Sequence, residues 1–379
     1  EKVARLRQRL HRDPYDVDAC AQLTAQAQGV HVLNAREIFE ELVGLYPTSC
    51  AVWRAYAEKE LSSQSESEDD HIKSVFGRCL MSCLDVNLWM CYLRYIKVTV
   101  DPSTVEGAEA LQQAYKYVID HIGDDVGSGR VWMEFAHFIK NAPLALWAGG
   151  PAGSEATQRM TALRRIYTRA LWVPLPELDS LWKEYEKFEY GVSKDLAKKL
   201  LQDVQQRVGV ARAACKERRK FLDKIVLTMH AVPPHRSARP HREQMALWWN
   251  LIAMEKMNMQ RMEAPQELAR VCYAYDQCLM CHFLYPEVWL DYASWHAENG
   301  RREAAAKVYK RAMQALPDCL ILHFAFADFA ETGGNLTEAE GVYNDLLDRY
   351  KPTPAPSEVD AFLASLGQQQ TAAAGGQGQ

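Results

Sequence analysis

The sequence predicts an all-α chain folded as a right-handed α-solenoid of stacked antiparallel helix pairs. Three observations predict it. A triplet of large residues at spacing i, i+3, i+6 returns seven times. It reads Trp53-Tyr56-Lys59 with Glu60, Trp89-Tyr92-Tyr95, Trp132-Phe135-Phe138, Trp182-Tyr185-Phe188 with Glu189, Trp248-Leu251-Met254 with Glu255, Trp289-Tyr292-Trp295, and His323-Phe326-Phe329. A second box, a small or aliphatic residue followed by an aromatic, stands at Ile38-Phe39, Val75-Phe76, Ala114-Tyr115, Ile166-Tyr167, Ala274-Tyr275, Val308-Tyr309 and Val342-Tyr343. Six of these aromatics precede the next triplet by 13 to 17 residues, and no long stretch alternates with period two. Self-similarity at a few tens of residues is the signature of a repeat array.

Each box has a helical reason. Residues three and four apart share one helix face, so the triplet lays three rings along one stripe, and the second box does the same with its aromatic and the apolar pair after it. Each unit is then two amphipathic helices, A and B, that cannot bury their stripes alone and must stack on their neighbours. Punctuation falls where turns are needed: Tyr46-Pro47, Tyr285-Pro286 and Leu316-Pro317 after B helices, Gly300 and Gly333-Gly334 between A and B. The rings are expected in the core, and His323, at a Trp-equivalent place, as a packing residue.

Composition narrows the function. With 379 residues and 48% hydrophobic content the chain can bury a continuous core. Ten cysteines without a disulfide-like framework fit a reducing compartment. No signal peptide, lipidation motif or run of 18 apolar residues is present, so no membrane partner is expected. The chain begins with Glu1, which reads as a fragment whose repeats continue beyond it. Net charge is −5, but the stretch from Lys194 to Arg242 holds 13 lysines and arginines against 4 acids, a local +9 that leaves −14 for the remainder. It reads as one long helix to about His230. Lys198, Lys199, Arg212, Lys216, Arg218, Arg219, Lys220 and Lys224 are its candidate contacts for RNA backbone or an acidic partner. Aromatic residues are sparse along it, which argues against base stacking.

These readings set the domain boundaries. Residues 1–231 form an N-terminal arc of about five helix pairs ending in the basic helix. Residues 232–243, with Pro233-Pro234 and Pro240, form a hinge. Residues 244–350 begin a C-terminal arc of about three pairs, and 351–379 are a low-complexity tail. The acidic, serine-rich stretch from Ser62 to Asp70 and the glycine-rich stretch from Ala142 to Thr157 read as connections between helices.

Catalytic chemistry finds no support. No P-loop, Gly-x-Ser-x-Gly, His-Glu-x-x-His or dinucleotide fingerprint occurs. Cys278-Leu279-Met280-Cys281-His282 matches the haem-attachment pattern, but Cys278 takes the core slot that Cys79, Ala170 and Ala312 take in their own boxes. Cys79 and Cys83 lie one turn apart near His71, with no second pair at zinc-ribbon spacing. Asp69-Asp70 and Asp124-Asp125 read as solvated loop residues. No cofactor, no metal and no enzymatic activity are expected.

The paired boxes resemble HAT (half-a-TPR) repeats, Trp-x-x-Tyr-x-x-Phe-Glu in helix A and Ala-Arg-x-Ile-Phe-Glu in helix B, the latter standing as Ala35-Arg36-Glu37-Ile38-Phe39-Glu40. Phe76-Gly77-Arg78-Cys79-Leu80-Met81 running into Leu88-Trp89-Met90-Cys91-Tyr92-Leu93 is similar to a unit of the family of HAT-repeat scaffold subunits of cleavage stimulation factor, which includes suppressor-of-forked and Rna-fourteen-type proteins. Asp13-Pro14-Tyr15-Asp16, Thr161 to Tyr167, Leu196 to Lys199, Ala274 to Leu279 and Phe324 to Phe329 also resemble it. The resemblance covers roughly residues 10 to 350. It implies a non-catalytic scaffold in nuclear pre-mRNA 3′-end cleavage and polyadenylation, with other subunits of that complex as partners. It also implies homodimerisation through the C-terminal arc of the longer protein. The alternatives are another HAT scaffold, of splicing or ribosomal-RNA processing, and direct sequence-tolerant RNA binding by the 194–242 segment.

Overall fold

A computed structural model describes residues 1–62, 69–148, 153–236 and 239–351. Among them stand seventeen α-helices, two 3-10 turns and no strand. The acidic serine stretch at 63–68, the glycines at 149–150 and the tail from 352 lie outside the described residues. Two compact units divide the chain, Glu1–Val288 and Trp289–Gln379.

In the first unit, α1 (Lys2–Arg12) and α2 (Val17–Gly29) precede B helix α3 (Val32–Leu45) and A helix α4 (Cys50–Ser62). The pattern repeats as α5 (Asp69–Cys79) and α6 (Val86–Thr99), α7 (Val105–Ile122) and α8 (Gly129–Asn141), and α9 (Glu155–Ala170) and α10 (Leu178–Val192). Then come the long α11 (Lys194–Leu222), α12 (Arg239–Lys256) and α13 (Ala264–His282). Side-chain caps fix several starts. Asp16 accepts the Ala19 N–H at 3.0 Å, Asp85 that of Leu88 at 3.0 Å, and Thr104 Oγ1 that of Gly107 at 3.0 Å.

Each B-helix ring meets the middle ring of the triplet that follows it. Ring centroids lie 4.9 Å apart for Phe39 and Tyr56, 5.6 Å for Phe76 and Tyr92, 5.1 Å for Tyr115 and Phe135, and 5.7 Å for Tyr167 and Tyr185. Buried tryptophans need a partner for the indole N–H. Trp53 donates to the Pro47 carbonyl at 2.8 Å, Trp89 to that of Cys83 at 2.9 Å and Trp132 to that of Gly123 at 3.0 Å. The same ring thus fills the core and fastens the B-to-A turn before it.

Two expectations shift. The basic helix ends at Leu222, not near His230. The chain after it is irregular because its side chains and carbonyls bond to other helices: Cys50 donates to the Leu227 carbonyl at 3.3 Å, and the Tyr46 and His230 rings lie 5.0 Å apart. Pro240 does not break the chain but stands in the first turn of α12, where its missing N–H is no loss. The segment 232–243 lies inside the first compact unit, because α13 lies along the B-to-A turns of the preceding pairs. The Met280 carbonyl accepts from Thr48 Oγ1 at 2.8 Å, Met280 Sδ from the Leu84 N–H at 3.0 Å, and Arg270 reaches Asp124 at 3.0 Å.

The unit boundary falls within α14 (Pro286–Glu298), and α15 (Arg302–Ala315), α16 (Leu320–Thr332) and α17 (Leu336–Arg349) follow. Tyr309 packs on Phe326 at 5.6 Å, the same B-to-A contact. Gly300 and Gly334 end α14 and α16 with φ of 73° and 77°, which a side chain would resist.

Candidate interaction surface: the basic helix and the buried junction beneath it

Most of the repeat-defining residues are buried: Phe39, Trp53, Tyr56, Glu60, Phe76, Trp89, Tyr115, Trp132, Phe135, Tyr167, Tyr185, Glu189, Trp248, Glu255, Tyr275, Trp289, Tyr292, Tyr309, Phe326 and, with them, His323. Tyr92 and Trp182 are half-buried. Tyr343 is a correction, being 37% exposed. No further helix follows α17 among the described residues, and the ring lies 6.5 Å from Phe324 with its hydroxyl bonded to Glu331.

Helix α11 is 29 residues long and its neighbour α10 is 15, so the end of α11 runs on past the start of α10. The last rung between them is the ion pair of Arg212 with Asp179 at 2.7 Å. Val208, Ala211, Ala214, Cys215 and Arg218 point to the core. Lys198, Lys199, Arg212, Lys216, Arg219, Lys220 and Lys224 are exposed. Of these, Arg219 pairs with Asp223 and Lys220 with Glu217, while Lys198, Lys199, Lys216 and Lys224 show no ion pair among the described residues. A groove of about 650 Å³ runs along the overhang, lined by Leu175, Pro176, Leu178 and Asp179 on one side and the row from Arg212 to Lys224 on the other.

Arg218 does not belong to that surface. It is 3% exposed, its Nε lies 2.7 Å from Glu255, and its two terminal nitrogens donate to the Asp124 carbonyl at 3.2 and 3.3 Å. Asp124-Asp125, expected as a solvated pair, is also corrected. Asp125 is 4% exposed and accepts from the Gly127 N–H at 2.7 Å, Tyr273 OH at 3.0 Å and Gln277 at 2.6 Å. Gln260 accepts from Arg270 at 3.2 Å and donates to the Trp172 carbonyl at 2.9 Å. Two arginines and three carboxylates thus meet where the turn after α7, the end of α11, α12 and α13 converge. Burial costs an ion dearly unless it is paired. Desolvation pushes Asp125 up. It pushes Asp124 the same way, but the Arg270 guanidinium outweighs it and holds that carboxyl below the ordinary range. Desolvation opposes the charge on Arg218 too, and Glu255 and Asp124 overcome it.

The signal that finds Arg218 is a pattern between boxes. Arg36, Arg164 and Arg218 each stand three residues before a B-helix aromatic, Phe39, Tyr167 and Phe221. Glu60, Glu189 and Glu255 each stand seven after the next triplet's Trp. All three pairs close, at 2.8, 2.6 and 2.7 Å. Lys73 and Gln112 hold the arginine place in the units whose glutamate place is Ile96 or Ile139.

The Cys278-His282 pattern lies in α13 with Cys278, Cys281 and His282 wholly buried. Cys281 donates to the Leu227 carbonyl at 3.6 Å, and burial drives both thiols up and the His282 imidazole down to about 4. Among the described residues no helix is long and apolar enough to cross a membrane.

The fold and its boxes define an array of HAT-type helix pairs. A family model described as Suppressor of forked protein (Suf) matches residues 1–361, and the chain belongs to that family. It is 38% identical over 335 residues to cleavage stimulation factor subunit 77 of Arabidopsis thaliana, covering 88% of this chain and 44% of that one. It is 30% identical over 376 residues to the mRNA 3′-end-processing protein rna-14 of Neurospora crassa, covering 90% and 32%. To the protein suppressor of forked of Drosophila melanogaster it is 29% identical over 291 residues, covering 76% and 36%. The chain spans less than half the length of these relatives. A crystal structure of CstF-77 superposes with a TM-score of 0.53 at 17% identity, over 79% of this chain and 66% of that one, which is a likeness of fold.

Proposed function

We propose that this chain is the helical-repeat part of a non-catalytic scaffold subunit of the nuclear pre-mRNA 3′-end cleavage and polyadenylation machinery. The observation that carries the reading is the family match over residues 1–361, with relatives named for cleavage stimulation and mRNA 3′-end processing. The described side chains support it physically: the two thiols and the one histidine of the haem-like pattern are spent in the core, and the exposed face of α11 carries charge. The partners are other subunits of that complex, with homodimerisation through the C-terminal arc of the longer protein. The exposed cations of α11 form a contact surface for an acidic partner or RNA backbone, motivated by the local +9. Affinity purification of the full-length protein from nuclear extract tests the reading. Co-purification of cleavage and polyadenylation subunits is expected. A preparation carrying splicing or ribosomal-RNA-processing subunits in their place would overturn it.

A further inference from the structure

We infer that the groove beside the overhanging end of α11 docks an acidic amphipathic helix of a partner protein, its carboxylates every fourth residue meeting Arg212, Lys216 and Lys220, with Lys224 just past the helix end, and its apolar edge lying over Pro176. This rests on the reading of the basic segment as a contact surface and commits it to one occupant.

The geometry and charge of the groove carry it. Arg212, Lys216 and Lys220 recur every fourth residue on α11, so each stands about 6 Å further along the axis than the last, and Lys224 follows in the turn after Leu222. A second helix with acids at i, i+4 and i+8 carries charge at the same period, and ridges of that spacing interdigitate when helices pack. Facing the charged row, Pro176 is exposed with Leu175 and Leu178 buried behind it, a small apolar edge beside the charge of the kind a helix-in-groove partner uses. Five cations line it against two carboxylates, Asp179 and Asp223, a net +3 that attracts acid without forming a uniform polycation. The existing ion pairs of Arg212 and Lys220 are on the surface and exchange cheaply for a partner's carboxylate. Among the described residues no aromatic side chain lines the groove, so it offers no stacking platform of the kind single-stranded RNA uses. The buried Arg218 junction on the opposite face of the same helix holds the row rigid, so it presents fixed spacing rather than a flexible charge cloud.

The test uses the whole chain and three fluorescent probes read by anisotropy. One is a stapled helical peptide with glutamate every fourth residue and leucines along the adjoining edge. The second has the same composition with the glutamates irregularly spaced. The third is a single-stranded oligouridylate. The first is expected to bind at least about tenfold more tightly than the second. Lys216→Glu/Lys220→Glu/Lys224→Glu should lose that binding with an unchanged melting curve, and Lys198→Glu/Lys199→Glu should keep it. Should the triple variant melt early, Lys216→Gln/Lys224→Gln is read in its place. Equal binding of the two peptides, preference for the oligouridylate, or indifference to the triple variant overturns the helix-docking inference and leaves the broader contact surface standing. Failure of all three probes to bind overturns both.

Discussion

Replacing Arg218 by Met should cost about 3–5 kcal/mol, the usual result of removing one member of a buried ion pair. The structure sets that scale. Both charged groups are at or below 6% exposure, so Glu255 would be left ionised without a counter-charge or would have to take up a proton. The Asp124 carbonyl would lose two donors at 3.2 and 3.3 Å as well. The companion Arg218→Met/Glu255→Met should cost less than Arg218→Met alone, because the stranded carboxylate is gone, and the cycle should return a coupling of more than about 1 kcal/mol. Lys220→Met, two residues on and exposed, should move stability by no more than about 0.5 kcal/mol. The assay is urea denaturation followed by circular dichroism, with hydrogen exchange on α12 and α13 to show that these helices open first. An Arg218→Met cost below about 1 kcal/mol would refute the junction, as would a double variant less stable than the single one. A binding experiment that reverses charge at Arg218 together with Arg219 and Lys220 would report unfolding of this junction rather than loss of a surface contact.

Trp89→Ala should cost about 3–5 kcal/mol, since the ring is wholly buried and donates to the Cys83 carbonyl, while half-buried Trp182→Ala should cost clearly less; urea midpoints of the two variants check the order. His282 is buried neutral with a value near 4 against about 6.5 unfolded, so its contribution is complete above pH 6.5 and is lost as pH falls from 6.5 to 4. The loss is on the order of 3 kcal/mol, and His282→Phe should flatten the stability curve across that window; an unchanged slope would place the imidazole in water.

The repeat, its helices and most of its core were legible because helix periodicity and large rings are local signals. Trp89 and Phe76 announce their burial by spacing alone. The junction was not legible, because Arg218 sits in a run of cations where its neighbours Arg219 and Lys220 are solvated, and only tertiary contact with Glu255 and Asp124 separates them. Asp124-Asp125 look like any turn carboxylates until α13 is laid across them. What does read locally, once known, is the coupling of an arginine three before the B aromatic to a glutamate seven after the next Trp. If that coupling is an exchangeable module, it should transfer to a unit that lacks it. Gln112 is half-buried at the arginine place and Ile139 fully buried at the glutamate place of the α7–α8 pair. Ile139→Glu alone should destabilise by roughly 3–5 kcal/mol, through an unpaired buried carboxylate and a lost apolar side chain. Adding Gln112→Arg should recover a coupling of at least about 1 kcal/mol, because the geometry that brings Arg36 to Glu60 and Arg164 to Glu189 recurs in that pair. It should not recover wild-type stability, since an ion pair in place of a packed isoleucine rarely does better than break even. Additive single and double effects in the urea series would mean that the three native pairs depend on their own surroundings and that no such rule governs the repeat.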